Sequence, residues 1–267
     1  MLECVINVSE GRRREVIDSL VAAGGASVLD LHCDAHHNRS VLTLASEEVE
    51  AAAREVGRLA VRSIDLRTHT GAHPRLGALD VVPFVALEGT APSSAVAARD
   101  RYASWAAAEL ELPCFLYGPE RSLPEVRQGA FRRLRPDAGP PAAHPTAGAV
   151  CVGARPPLIA YNLWLAPGTP LEEARRVAGA LRGNRLRALG LQVGERVQVS
   201  TNLLDPLRLG FEAAYDAVAD EVAVERAEVV GLAPASTLDA VPRHRWPALG
   251  LDASMAIEAR LDGLRSC

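Results

Sequence analysis

Lysine is absent from this chain of 267 residues, and all 29 of its basic side chains are arginines. Without lysine there is no amine for a Schiff base and no P-loop lysine, which excludes lysine-linked pyridoxal phosphate enzymes and P-loop nucleoside triphosphatases. Anions must be recognised by arginine forks, backbone N–H groups or helix N-termini. The net charge of −4 gives no general attraction to nucleic acid or to an anionic membrane, so we expect neither as a partner.

The chain also lacks a long apolar run, a basic segment followed by an apolar one near residue 1, and any cysteine pair spaced as C-x-x-C. Its five cysteines are Cys4, Cys33, Cys114, Cys151 and Cys267. Four of them lie in or beside apolar strand-like runs, which is typical of reduced, mostly buried thiols. These features predict a soluble, untargeted protein of the cytoplasm.

Hydrophobic periodicity over the first 90 residues predicts elements in the order β-α-β-β-α-β, the split arrangement of ferredoxin-like folds. The predicted strands are 4–8, 27–31, 40–45 and 80–87, and the predicted helices are 12–23 and 46–66. A helix at about 94–112, a strand at 114–117 and a helix at about 123–134 are expected to follow.

A segment rich in Pro, Gly and Ala, 136–147, interrupts the pattern as an ordinary linker does. Beyond it we predict strands at 149–152, 158–165, 196–201 and 227–232, and helices at 169–189, 206–222 and 253–264. The second half then has the order β-α-β-α-β. We therefore expect an α/β (α+β) protein with two subdomains of ferredoxin-like βαβ type, residues 1–154 and 158–267.

Six of the seven histidines lie between positions 32 and 144, and His69 and His73 stand four residues apart. That spacing places two zinc ligands on one face of a helix. However, a glycine lies between them and Pro74 follows directly, which disfavours a helix at His73. A metal site made of His69 or His73 with His36 or His37 stays open as an alternative.

Proton transfer is a second interpretation of the same segment, 69–84. His73 stands between a glycine turn and a proline, with Arg75 two residues further on. A histidine so fixed can shuttle a proton near neutral pH, and an arginine can orient a carboxylate through two parallel hydrogen bonds. Asp80 either orients a histidine or holds the turn through backbone N–H groups. A turn held together by polar side chains, without catalysis, is the alternative.

Two more polar segments, 34–40 and 200–205, follow predicted strands. Loops at strand ends are common places for binding and catalytic residues, although a polar turn and a helix cap explain these two equally well. A Ser-His-Asp triad can be assembled from such parts. The chain has no G-x-S-x-G motif, which disfavours nucleophilic serine catalysis.

Several stretches of the chain resemble, in order, motifs of the glutamate formiminotransferase family. They are 3–11, 37–40, 69–84, 144–148 with 152–155, and 199–205. The resemblance implies transfer of a formimino group from N-formiminoglutamate to N5 of tetrahydrofolate, in histidine degradation and one-carbon metabolism. It also implies a ligand cleft between two subdomains, tetrahydrofolate as co-substrate, no metal, and a homodimer. We expect a monofunctional enzyme without the cyclodeaminase domain of vertebrate relatives.

The resemblance also implies roles for individual residues. The family's catalytic histidine precedes Pro-Arg, which makes His73 the general acid and base. The substrate-binding residues are Arg75, Asn38, Arg39, His69 and Asn202. The family's folate-binding stretch matches Gly139, Pro140, Pro141, Ala142, Ala143, His144, Pro145, Thr146, Ala147 and Gly148. The supposed linker thus becomes a candidate wall for folate.

Three other functions stay open at this point. A 5-formyltetrahydrofolate–glutamate formyltransferase keeps the same site and changes the one-carbon donor. A folate-binding or assembly protein keeps the ligand and has no catalysis. A metal hydrolase built on the histidine cluster changes the chemistry altogether.

Overall fold

The computed structural model describes residues 1–265, so Cys267 and its expected thiol state lie outside the described residues. The chain divides into two compact units, the first Met1–Arg155 and the second starting at Pro156. Cys4, Cys114 and Cys151 are buried free thiols, and Cys33 is an exposed one. None of the described helices has the length and apolar character needed to cross a membrane.

The first unit is a six-stranded sheet with helices packed against both of its faces. Its elements are β1 (Leu2–Val8), α1 (Arg14–Gly24), β2 (Val28–Asp34), β3 (Arg39–Ser46), α2 (Val49–Ser63), β4 (Leu79–Ala86), α3 (Pro92–Glu109), β5 (Cys114–Tyr117), α4 (Leu123–Gly129) and β6 (Val150–Ala154). The strand order is β2-β3-β1-β4-β6-β5, in which β6 runs parallel to β4 and β5. The first six elements confirm the predicted β-α-β-β-α-β order.

Alternation along β1 explains how this sheet forms its core. Cys4, Ile6 and Val8 point to one face and are fully buried. Helix α2 presents Ala53 and Val56 among its buried residues at helical spacing, and both belong to the same apolar cluster as the β1 side chains. This packing fixes the strands, and with them the loops at their ends that carry the candidate site described below.

The second unit repeats the same order on a four-stranded antiparallel sheet. Its elements are β7 (Ile159–Leu165), α5 (Leu171–Leu181), β8 (Leu186–Val193), β9 (Arg196–Leu203), α6 (Phe211–Ala219), β10 (Val224–Val230), α7 (Ala235–Asp239), α8 (Trp246–Leu249) and α9 (Ile257–Arg265). The strand order is β10-β7-β9-β8, and neighbouring strands are all antiparallel. Mixed α/β architecture with two βαβ units was therefore predicted correctly.

The prediction of one helix over 169–189 was wrong, and strand β8 was missed. The helix ends at Leu181, after which a turn leads into the strand. Buried Leu186 and Ala188 alternate there with exposed side chains, the period of a strand rather than of a helix. A turn at Gly194, with φ +61°, then joins β8 to its partner β9. The second half is accordingly β-α-β-β-α-β and not β-α-β-α-β.

Two other predicted helices are shorter than expected. Helix α4 ends at Gly129 rather than near 134, and Phe131 adopts a left-handed backbone conformation with φ +57°. Helix α6 begins at Phe211 rather than near 206, because a turn closed by the Leu209 N–H on the Asp205 carbonyl oxygen precedes it.

Helix α4 begins with a capping box. Ser122 Oγ accepts from the Glu125 backbone N–H, and the Glu125 carboxylate accepts from the Ser122 N–H at 2.7 Å. We expect Ser122→Ala to lower the free energy of unfolding by about 1 kcal/mol, because one N–H of the first turn loses its partner. Urea unfolding measures the change. Ser104→Ala, on the exposed side of α3, is the control, and an equal loss in both variants would contradict the capping role.

Candidate active site

Three segments of the first unit are tied together by the side chain of Asn38. Its Oδ1 accepts from the Gly11 N–H at 2.8 Å, and its Nδ2 donates to the Thr70 carbonyl oxygen at 2.9 Å. Asn38 is buried and has φ +50°, a left-handed conformation that asparagine tolerates better than most residues. The amide of this predicted substrate-binding residue therefore joins the 9–11 turn, the 34–39 loop and the 69–78 segment.

His73 faces Arg39, the first residue of β3. Arg39 Nη1 lies 3.3 Å from His73 Nε2. Because a guanidinium only donates, Nε2 must accept, and the neutral ring carries its proton on Nδ1. Burial, and next the charge of Arg39, hold the pKa of His73 well below its usual value, while Asp80 acts in the opposite direction. His73 is therefore neutral near pH 7, the form that accepts a proton.

The described residues supply hydrogen-bond acceptors for only some of the N–H groups of the Arg39 guanidinium. One guanidinium nitrogen, Nη2, donates to Asn7 Oδ1, but the buried Nε has no hydrogen-bond acceptor among residues 1–265. Burial also lowers the pKa of Arg39 to about 10. A buried charged donor without an acceptor is costly.

Arg75 and His69 support the segment that carries His73. Arg75 Nη2 donates to the carbonyl oxygens of Gly71 and His73, both at 2.7 Å. His69 Nε2 donates to the Asn38 carbonyl oxygen at 3.2 Å, and its buried Nδ1 has no partner in the part of the chain that is described. Burial, and next the charge of Arg75, lower the pKa of His69. His69 Nδ1 is therefore a second buried polar atom without a partner in the described structure, after Arg39 Nε.

Of the two roles predicted for Asp80, the structure shows the one of holding the turn, and its carboxylate does not orient a histidine among residues 1–265. Its Oδ1 accepts from the Leu76 N–H at 2.7 Å, and its Oδ2 accepts from Arg127 Nη2 at 2.6 Å. Arg127, on helix α4, also donates to the Pro74 carbonyl oxygen at 3.1 Å. Asp80 is fully buried at the start of β4. This ion pair fixes the backbone that follows His73 to the core of the unit.

The predicted folate segment, 139–148, packs behind the His73 segment. The Ala78 N–H donates to the Ala147 carbonyl oxygen at 2.9 Å, and Gly77 and Gly148 form an antiparallel bridge. A Cβ on Gly148, which has φ +73°, would lie 2.3 Å from the Leu76 carbonyl oxygen, so the approach requires glycine. The two predicted parts of the site thus share one backbone framework.

His144 shapes the turn at the end of that segment. Its ring Nδ1 accepts from the Ala147 N–H at 3.0 Å, and its backbone pairs with Gly148. With Nδ1 accepting, the neutral ring carries its proton on Nε2. Ala147 is fully buried within the turn.

The loop between β2 and β3 holds a pair that the sequence analysis did not assign, Asp34 and His37. Asp34 Oδ2 accepts from His37 Nδ1 at 2.6 Å, and Asp34 Oδ1 accepts from the His37 backbone N–H at 2.8 Å. Burial opposes ionisation of Asp34, but these hydrogen bonds outweigh it and lower the pKa of the carboxyl. The sequence signal is an aspartate three residues before a histidine in a strand-ending loop, a common side-chain turn.

Asn202 is the one predicted site residue of the second unit. It is half-buried on β9, opposite Ala160 of β7 and Arg187 of β8. The neighbouring Thr201 hydroxyl is buried and donates to the Tyr161 carbonyl oxygen at 2.7 Å. Within residues 1–265, the His, Cys, Asp and Glu side chains form no group of three or more that could hold a metal ion.

Replacing Arg39 by glutamine is expected to raise the pKa of His73, because the positive charge beside Nε2 is removed. Histidine-selective NMR titration measures the shift. In the parent chain the unfolded state takes up this proton below about pH 6.5 while the folded state does not, so the free energy of unfolding falls as the pH falls there. In Arg39→Gln we expect the free energy of unfolding to fall less over the same pH range. The exposed Arg14→Gln is the control, and an unmoved His73 titration would contradict the assigned contact.

Two α/β units of βαβ type, with His73 beside Arg39 in the first of them, are features of an α/β enzyme. Residues 1–155 match the formiminotransferase domain, N-terminal subdomain. The chain belongs to the formiminotransferase family.

Curated relatives agree with this assignment. The glutamate formimidoyltransferase of Streptococcus pyogenes serotype M1 is 35% identical over 271 residues, which cover 89% of this chain and 90% of that protein. The glutamate formimidoyltransferase of Thermoplasma acidophilum is 32% identical, and the match covers 98% of this chain and 97% of that protein. The formimidoyltransferase-cyclodeaminase of Sus scrofa is 34% identical, but the match covers 51% of it. The chain spans about half of such bifunctional relatives.

Proposed function

We propose that this chain transfers the formimino group of N-formimino-L-glutamate to N5 of tetrahydrofolate, a reaction of histidine degradation and one-carbon metabolism. One observation carries the assignment to the site. His73 is held in its neutral form beside Arg39, in a chain whose full-length relatives are named glutamate formimidoyltransferases.

The transfer needs one proton to move between two nitrogens. A bond forms between the pterin N5 and the formimino carbon, and the bond from that carbon to the glutamate nitrogen breaks. N5 loses a proton and the departing glutamate nitrogen gains one, so no net proton is consumed. A neutral histidine can accept the first and return it to the second, which contributes about 10²–10⁴-fold to the rate. His73 has that form.

The substrate carboxylates need a cationic partner in the site. Arg39 is the arginine beside His73, so its guanidinium is assigned to a carboxylate of glutamate. His69, whose ring contacts the Asn38 carbonyl oxygen, is kept in the substrate-binding set. We keep Arg75, Asn38 and Asn202 in the substrate-binding set. Arg75 and Asn38 act chiefly by holding the His73 segment in place.

We place tetrahydrofolate, as co-substrate, along segment 139–148. This segment is hydrogen-bonded to the backbone immediately after the His73 turn, so a ligand on it lies within the same rigid framework as His73. The reaction is proposed to need no metal. A cytoplasmic location and a homodimer complete the proposal, and both rest on family membership alone.

A donor comparison tests the function. The purified chain is incubated with tetrahydrofolate and N-formiminoglutamate, and in parallel with 5-formyltetrahydrofolate and glutamate. We expect release of glutamate in the first mixture with formation of 5-formiminotetrahydrofolate. Turnover in the second mixture alone would assign the chain as a formyltransferase, and binding of folate without turnover in either would assign it as a folate-binding protein.

A further inference from the structure

Two hydrogen bonds join Asp34 to His37, and one of them is enough to close the turn. The bond from the His37 backbone N–H to Asp34 Oδ1 already closes the turn. The second bond, from ring Nδ1 to Oδ2 at 2.6 Å, instead fixes the imidazole. Nδ1 must carry the proton because the ionised carboxylate only accepts, so Nε2 is the ring's free nitrogen. An aspartate that orients a histidine and stabilises its imidazolium form is the arrangement of acid–base pairs in enzymes.

The ring of His37 lies next to that of His73. Their centroids are 6.2 Å apart and the ring planes are inclined by 70°. The two imidazoles have opposite charged neighbours, because His73 contacts the guanidinium of Arg39 while His37 contacts the carboxylate of Asp34. When the surroundings of two titratable groups differ in this way, one is suited to accept a proton and the other to donate it.

We propose that His37, oriented by Asp34, is a second proton-transfer residue of the site, which donates the proton to the departing glutamate nitrogen while His73 removes the proton from N5. This rests on the proposed formimino transfer and divides its proton movements between two side chains. In this step His37 starts as the imidazolium, with a proton on each ring nitrogen, and becomes neutral when Nε2 gives its proton to the departing nitrogen. His73 becomes protonated as the new bond forms. A proton passes from His73 back to His37 after the products leave, so the protein returns to its starting state.

The charged and titratable groups around His37 come from four segments. Asp34 and His36 belong to its own loop, His73 to the 69–78 segment and Arg39 to β3. Arg12 reaches the same loop from the start of the chain by donating to the Ala35 carbonyl oxygen at 2.8 Å. Asp34 is the one among them that hydrogen-bonds to the His37 ring in the described structure, so it is the group to remove.

The test is the pH dependence of kcat and kcat/KM for His37→Gln and Asp34→Asn with N-formiminoglutamate and tetrahydrofolate. We expect His37→Gln to lower kcat about 100-fold at unchanged KM for folate. Its profile should lose the decline on the alkaline side, where the acid is deprotonated, and keep the decline on the acid side. Asp34→Asn should lower kcat by a smaller factor, because it removes the carboxylate that orients the His37 ring. His36→Gln, whose ring lies 5.5 Å from that of His37, is the control and should change neither.

An unchanged profile for His37→Gln, or a loss confined to the KM for folate, would overturn the proposal while the parent chain still turns over. A parent chain that releases no glutamate would overturn the formimino assignment itself. Nitrogen-15 NMR of the histidine rings gives a readout without turnover, since His37 should be protonated on Nδ1 and should lose that preference in Asp34→Asn. A parent His37 protonated on Nε2 alone would contradict the pair.

Discussion

Replacing His73 by glutamine is expected to lower kcat for formimino transfer by about 100-fold or more, with the KM for tetrahydrofolate little changed. Glutamine preserves a polar side chain of similar reach but cannot accept a proton at neutral pH. The loss should fall on kcat because the folate contacts are assigned to segment 139–148, and that segment is held by backbone bonds that His73 does not make. Steady-state kinetics with both substrates varied measure the two constants separately.

His244→Gln is the matched control, since His244 is exposed in the second unit. It should leave kcat and KM unchanged. Turnover of His73→Gln close to that of the parent chain would remove His73 from the chemistry, whatever its contacts. A circular dichroism spectrum equal to that of the parent shows that the variant is folded.

Replacing Asp80 by alanine is expected to be the most destabilising single change near the site, at about 3–5 kcal/mol. The variant leaves the guanidinium of Arg127 without its carboxylate and the Leu76 N–H without its acceptor. Both partners border the turn after His73, so we expect activity to fall even in the folded fraction. Urea unfolding gives the stability, and kcat measured well below the unfolding midpoint gives the activity.

Asp80→Asn separates charge from hydrogen bonding. Its amide oxygen can still accept from the Leu76 N–H, while the ion pair with Arg127 is lost. We expect a smaller loss of stability than for alanine, because one of the two partners remains satisfied. Asp18→Ala, which removes an exposed carboxylate paired with the exposed Arg14 on α1, is the control. Equal stability of Asp80→Ala and Asp18→Ala would contradict the role of the buried ion pair.

The first unit could be predicted from the sequence because its strands bury one face or both, and their boundaries are marked by polar loops. Strand β8 could not, since Leu186, Arg187 and Ala188 are residues that favour helices in isolation. Their strand conformation depends on pairing with β9, which local periodicity does not report. The start of α6 was placed too early for a related reason, because the turn at Asp205 carries the polar signal of a helix cap.

The candidate site could be predicted in part. The segment carrying His73 stands out because it concentrates histidine, arginine and aspartate in one turn. The contact between His73 and Arg39 joins residues 34 positions apart in the sequence, and it depends on where β3 starts within the sheet. Asp34 and His37 are close in sequence, but their approach to His73 depends on the same tertiary arrangement. The types of residue in these segments therefore indicated a site, whereas the contacts between the segments could be known only from the fold.

The distance from the pterin N5 to the imidazole of His73, in a crystal structure of this chain with a reduced folate bound, is the most direct measurement. We predict a separation of about 2.6–3.2 Å, or one bridging water, with the folate lying along segment 139–148. A folate bound with N5 beyond the reach of His73, or on a surface that does not include that segment, would contradict the proposed transfer at this site.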